Sequence, residues 1–241
     1  MIEDSKVLAI IPARKGSVGL KGKNIKKICG EPLISWSIKQ CQASKYIDKI
    51  VVSTDCNKTS KIANNHGVDV PYLRPKRLSL SSSTTYDTIE HLLKFLKKNK
   101  NENFDYIVLI EPTSPLRKKN DIDNIIYKLK KNENNYDSIV SIGTISEHPS
   151  ILKKIEGSSL LAFDKKIEAN IRRQLLTEVY FPYGVAYVVK EKALLKEKSF
   201  YTKRQTYFLL ERFQNYEIDD IYDFICIENI MKYKKYNINR Y

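Results

Sequence analysis

The chain has 241 residues, enough for one large α/β domain or a domain with a small appendage. Its 42 Lys and Arg against 28 Asp and Glu give a net charge of +14; the surplus sits in dispersed pairs such as Lys97-Lys98 and Lys153-Lys154, as on solvated helix faces, which argues against a nucleic-acid partner and suits a small anionic substrate. No run approaches the ~20 apolar residues of a membrane span, Met1–Lys6 is polar rather than signal-like, and the cysteines (Cys29, Cys41, Cys56, Cys226) form no C-x-x-C pair, so neither zinc nor disulfides are expected and a cytoplasmic location fits.

In chain order, Val7–Ile11 is a compact apolar run, the pattern of a parallel strand buried on both faces. Ile50–Ser53 reads the same way, and a helix is expected from about Asn57 to His66, just before Gly67. Ile89, Leu92, Leu93 and Leu96 fall at i, i+3, i+4, i+7 and predict an amphipathic helix, with His91 on it. Tyr106–Ile110 is another strand, Ile122, Ile125, Ile126 and Leu129 another helical stripe, and Ser138–Ile142 a further strand. From about Ile145 to Tyr183 the alternation fails, which suggests an insertion or dimerisation hairpin over roughly residues 146–184. Val185–Val189 restores a strand, and Ile221–Tyr233 reads as a closing helix with Asp220 as its cap. Strand–helix alternation of this kind predicts a three-layer α/β fold with a mostly parallel sheet, as a single domain over residues 1–241.

The first strand is followed by Pro12-Ala13-Arg14-Lys15-Gly16-Ser17-Val18-Gly19-Leu20-Lys21-Gly22-Lys23-Asn24. Ligands in such sheets bind beyond the carboxyl ends of the strands. Here glycines let backbone N–H groups approach a polyphosphate, and Arg14, Lys15, Lys21 and Lys23 supply charge. It is not a Walker loop: five residues separate Gly16 from Gly22, and Asn24 follows Lys23. The absence of Gly-x-Gly-x-x-Gly counts against a dinucleotide-dependent dehydrogenase.

Ile11 through Asn24 resembles the I-P-A-R-x-G-S-x-G-x-x-x-K-N signature of the acylneuraminate cytidylyltransferases (CMP-sialic acid synthetases). Val52-Ser53-Thr54-Asp55, Leu73-Arg74-Pro75, Glu111-Pro112-Thr113-Ser114-Pro115-Leu116-Arg117, Arg173-Gln174, Pro182 with Gly184, and Glu217-Ile218-Asp219 resemble further family segments in the family's order. The resemblance implies a Rossmann-like nucleotide-diphospho-sugar transferase fold, usually dimeric. It also implies attack by the anomeric hydroxyl of an acidic sugar on the α-phosphorus of CTP.

By the same resemblance, Arg14, Lys23 and Asp219 are the catalytic set. Ala13, Arg14, Ser17, Lys23, Asn24, Arg74, Ser83 and Thr85 hold the nucleotide, and Glu111, Arg173, Gln174, Tyr183 and Tyr187 face the sugar. Magnesium prefers carboxylate and phosphate oxygens. Asp219, with Glu217 two residues earlier, is the candidate ligand set; both could instead be acidic caps of the following helix. Asp55 is either a cap for the helix near Asn57 or a metal carboxylate. Departures cluster on the sugar side, where Glu111 replaces a Gln and Phe181 and Tyr183 replace an Arg and an Asn. The acceptor is therefore expected to differ from N-acetylneuraminate; a legionaminate, a pseudaminate or a related diacetamido sugar is expected. A different sugar or sugar-phosphate acceptor, and a non-catalytic nucleotide- or RNA-binding protein, stay open as alternatives.

Overall fold

The computed structural model of the chain describes residues 5–17, 19–163 and 176–237, the last four of these by backbone alone. Its centre is a six-stranded mixed sheet of β1 (Val7–Pro12), β4 (Lys49–Ser53), β5 (Tyr106–Leu109), β6 (Ser138–Thr144), β9 (Tyr180–Lys190) and β10 (Gln205–Leu209), in the order β10-β6-β9-β5-β1-β4. β1 pairs in parallel with β4 and β5, and β10 with β6, while β9 runs antiparallel between β5 and β6. The mostly parallel sheet predicted from the alternation is therefore interrupted by one reversed strand.

The apolar runs are buried on both faces because helices cover both. Val7, Ala9 and Ile11 pack with residues of α1 (Leu33–Gln42), α2 (Asn57–Asn65) and α4 (Asp121–Lys131). Leu8 and Ile10 face the other way, against Ile89, Leu92, Leu93 and Leu96 of α3 (Thr85–Lys100) and Leu194 of α5 (Glu191–Glu197). The period-2 strand pattern thus feeds two separate apolar layers. α3 starts at a reciprocal capping box between Thr84 and Asp87.

Among the described residues, two small hairpins lie outside the sheet. β2 (Lys27–Ile28) pairs with β3 (Glu31–Pro32), and β7 (Lys153–Glu156) pairs with β8 (Ser159–Ala162). The second lies within the stretch expected to leave the alternation. The closing helix α6 (Ile221–Asn237) buries Phe224 and Ile227 against Ile28, Leu33, Leu116 and Ile218. That cluster fixes the chain just before the helix, and with it Asp219. Asp220 accepts from the backbone N–H of Tyr222 and Asp223, and Asp223 accepts from those of Asp219 and Asp220, so the expected cap is present.

β9 begins at Tyr180 rather than near Val185, because its first half pairs with Ile142–Thr144 of β6 beyond a register shift. Running opposite to β5, it carries Gly184 back to the edge where β1, β4 and β5 end. Its Tyr180–Tyr183 segment is thereby delivered to the ligand side.

Candidate active site

The loop after β1 is fastened to the end of β4. Ala13 N–H donates to Ser53 O (2.9 Å), Thr54 Oγ1 donates to Ala13 O (2.6 Å), and Lys15 N–H donates to Asp55 Oδ1 (2.7 Å). Ala13 is buried with both backbone groups engaged by the neighbouring strand end, which anchors the loop. Asp55 neither caps α2 nor stands as a free carboxylate, since it holds the backbone of Lys15. Asn24 Nδ2 donates to Arg14 O (3.1 Å) and closes the loop on itself.

At the far end the loop meets the segment before α6. Lys23, on a turn that Gly22 enters at φ 68°, donates from Nζ to Ile218 O (2.5 Å) and lies 3.1 Å from Asp219 Oδ1. A Cβ added to Gly19 would stand 2.4 Å from Asp219 O, an approach only glycine permits. Gly19→Ala is therefore expected to push the loop off Asp219 and lower turnover about 100-fold. Gly16→Ala, where a Cβ meets nothing within 4 Å, is expected to lose far less. Equal losses in a steady-state comparison would show that closure on Asp219 does not matter.

Three hollows surround Arg14. One of about 250 Å³ lies between Arg14, Arg74 and the Leu80–Thr88 region, with Ser83 and Thr85 in its wall. A second, about 390 Å³, is lined by Arg14, Ser17, Lys23, Asn24, Glu111 and Asp219, among others. The third, about 520 Å³, opens toward α2 and takes Lys15 and Lys21, so the four cations of the loop do not all face one cavity. Arg14 Nη1 donates to Leu80 O (3.1 Å) and bridges the first two hollows. Arg74 donates to Ser53 Oγ and Ser53 O at 3.2 and 2.5 Å, so strand-end contacts hold it in the wall. Ser83 Oγ donates to Arg77 O (2.7 Å).

Glu111 and Glu217 form the carboxyl side. Glu217 Oε1 accepts from Ser114 Oγ (2.8 Å) and Gly184 N–H (2.5 Å), which makes it a clasp between three segments. The Asp219 side chain is 83 % exposed and does face the cavity. Burial, and then the nearby Glu217 carboxyl, push Glu111 up to about 7. Burial likewise raises Glu217. Gly184 makes the fit possible, because a Cβ there would lie 2.6 Å from Glu111 Cβ.

Tyr187, expected on the sugar side, is only 7 % exposed and packs in the core against Phe200 and Tyr201 at ring distances of 6.3 and 6.0 Å. Tyr183 is half-buried with its ring 5.2 Å from that of Phe181. Arg173 and Gln174 lie outside the described residues. None of the histidines enters the cavities of the loop. His66 ends α2, His91 bonds Tyr72 (2.7 Å), and His148 caps a turn through Ser150 N–H. The residue missed by sequence reasoning is Arg117, whose only sequence signal was its place in the Thr113–Arg117 segment.

A pocket of about 250 Å³, joined through Arg14 to a cleft that sets Arg14 and Lys23 opposite Glu111 and Asp219, lies at the strand carboxyl ends where α/β folds take their ligands. A model of the family described as cytidylyltransferase matches residues 8–240, and the chain belongs to that family. It is 28% identical to an N-acylneuraminate cytidylyltransferase of Escherichia coli over 91% of the chain, spanning only 51% of that longer protein. It is 31% identical to a CMP-N,N'-diacetyllegionaminic acid synthase of Legionella pneumophila, covering 94% of the chain and 97% of that protein. Among solved structures, a CMP:2-keto-3-deoxy-manno-octonic acid synthetase complexed with CTP superposes with a TM-score of 0.68. The match covers 95% of this chain and 100% of that one at 14% identity. The fold is that of the nucleotide-diphospho-sugar transferases.

Proposed function

We propose that the chain transfers CMP from CTP to the anomeric hydroxyl of a nonulosonic acid and releases pyrophosphate. One observation carries this reading: Arg14, Ser17, Lys23, Asn24, Glu111 and Asp219 line a single cavity, and Arg14 joins it to the pocket of Arg74, Ser83 and Thr85. The nucleoside sits in the smaller pocket, the phosphates pass Arg14 and Ser17, and the acceptor enters from the Glu111 side. Transfer of this kind needs in-line placement and charge stabilisation more than covalent chemistry. Lys23, anchored by Ile218 O, supplies charge to the phosphates, and Arg14 spans the nucleoside and the transferring group.

Among the described residues no three Asp, Glu, His or Cys side chains converge on an ion. A single exposed carboxylate, Asp219, suits magnesium, which keeps several waters and takes its remaining ligands from nucleotide phosphates. When bound, such an ion offsets phosphate charge. Asp219 would hold it and release Lys23 toward the phosphates.

The acceptor we favour is a legionaminate- or pseudaminate-like diacetamido acid, because the Phe181–Tyr183 aromatic pair lies on the segment of β9 leading to Gly184. Arg173 remains the candidate partner for the acid's carboxylate, beside Gln174. A homodimer fits the β7–β8 hairpin, where Ile155 and Leu160 stand exposed. No helix among the described residues is long and apolar enough to cross a membrane, and we place the enzyme in the cytoplasm.

Pyrophosphate release from CTP and magnesium, measured with a panel of nonulosonic acids, tests the reading. Release is expected to depend on the acid, to favour a diacetamido acid over N-acetylneuraminate, and to fall by about 100-fold or more in Asp219→Ala. Binding of CTP without release for any acid would refute the acceptor class. A preference for N-acetylneuraminate would refute the sugar assignment alone.

A further inference from the structure

Arg117 is 7 % exposed, lies outside the cavities of the loop and makes no ion pair with a carboxylate among the described residues. Its guanidinium has five N–H groups and five acceptors within reach. Nε donates to Val185 O (2.6 Å), Nη2 to Glu111 O (2.5 Å) and Gly184 O (2.7 Å), and Nη1 to Ser37 Oγ (3.0 Å) and Gln40 Oε1 (3.2 Å). A buried cation is costly unless paired and fully hydrogen-bonded. Three of its five acceptors are backbone carbonyls, and these belong to Glu111, Gly184 and Val185 on the carboxyl side of the cavity.

Glu217 Oε1 holds the Gly184 N–H (2.5 Å), while the carbonyls of Glu111 and Gly184 both turn to Arg117. Glu111 stands two residues beyond the end of β5, and its N–H reaches Gly184 O at 3.2 Å. Gly184 sits where β9 approaches Glu111 too closely for any side chain. The fork of Arg117 spans the two carbonyls, and α1 holds the fork from behind through Ser37 and Gln40. Nothing in this network touches the pocket of Ser83 and Thr85.

We propose that Arg117 is the positioning residue of the acceptor half of the site, setting the Glu111–Gly184 backbone register that aims the Glu111 carboxyl into the cavity. It acts through Glu111 and touches no reacting atom. A lysine ammonium has three N–H groups and no planar fork, so Arg117→Lys leaves at least two of the five acceptors unbonded and loosens the Glu111–Gly184–Val185 backbone. The inference rests on the cytidylyltransferase reading, so wild-type release with the preferred acid is measured first; failure at that step counts against the function, not against Arg117.

With wild-type turnover established, Arg117→Lys is expected to lose about 100-fold in kcat/KM for the acceptor, as a misplacement of about 1 Å would cause. CTP affinity, measured by direct binding, is expected to stay within about twofold. In Arg117→Gly, added guanidinium is expected to restore part of the acceptor-dependent rate. Unchanged acceptor kinetics in folded Arg117→Lys would overturn the proposal, as would an equal loss of CTP affinity, which a purely structural role predicts. If Arg117→Lys does not fold, the double variant Ser37→Ala/Gln40→Ala decides. It frees Nη1 while keeping the guanidinium, and is expected to lower acceptor kcat/KM about tenfold with CTP affinity unchanged; no loss, or a loss shared with CTP, overturns the inference.

Discussion

Lys23→Ala is expected to lower kcat for pyrophosphate release by about 100- to 1,000-fold, the range found when one preorganised donor to a developing charge is removed. The side chain is 13 % exposed and its ammonium is held by Ile218 O at 2.5 Å. A cation fixed in this way need not reorganise as charge moves onto the leaving pyrophosphate. Its other contact, Asp219, is the exposed and exchangeable one. A purely structural Lys23 would behave differently: losing the tie to Ile218 would lower the melting temperature, and CTP binding and turnover would fall together through unfolding. Thermal melting and kcat measured on Lys23→Ala and Lys23→Arg separate the two. A destabilised Lys23→Ala with wild-type kcat at low temperature would remove the lysine from the chemistry.

Glu111→Gln is expected to flatten the pH dependence of the acceptor reaction while keeping activity below neutrality. Glu111 titrates near 7 instead of 4.5 because it is buried and faces the Glu217 carboxyl, with Arg117, Thr113 and Lys23 pulling the other way. Below that value it is a neutral acid able to donate, as a glutamine amide does. Above it, a negative charge faces an anionic substrate, so wild-type kcat/KM for the acceptor falls as pH rises through 7. Stability carries the same sign. The folded chain binds this proton more tightly than the unfolded one, so the contribution is present below about 4.5 and is lost as pH rises to 7, on the order of 3 kcal/mol in total. Glu111→Gln should therefore melt higher than wild type at pH 8 and not at pH 4. If Glu111→Gln is inactive at every pH with CTP binding intact, Glu111 is instead the base that takes the hydroxyl proton.

The parts of this structure that were legible in the sequence are those whose signal is local. The runs in β1, β4 and β5 are buried on both faces and read as unbroken apolar segments. The stripes of α3 and α4 keep helical spacing, and the phosphate loop is contiguous from Pro12 to Asn24. Asp220 announced itself as a cap because a cap acts within its own turn. What was not legible depends on distant partners. Leu33–Gln42 buries Ser35 and Ser37 beside Ile34 and Ile38, so its stripe mixes polar and apolar residues and shows no clear face. The edge strand β10 is half exposed. The reversal of β9 leaves no mark in composition, since a buried strand looks alike in either direction. Nor could the clasp made by Glu217 be read from the sequence, since Gly184 and Ser114 come to its Oε1 from 33 and 103 residues away. The burial of Tyr187 is likewise a distant matter: the alternation of β9 brings its ring against Phe200 and Tyr201.

The bond from Lys23 to Ile218 joins positions 195 residues apart, and the Gly19–Asp219 approach lies beside it. Contacts of such long sequence separation form late, after loop-closure entropy has been met by the rest of the sheet. A chain emerging from the ribosome carries its whole basic loop early, yet cannot bring Asp219 to Lys23 until nearly all of the fold has been synthesised. Competence to turn over CTP thus marks the end of folding, and partly built chains carry a basic loop without the carboxylate that completes it.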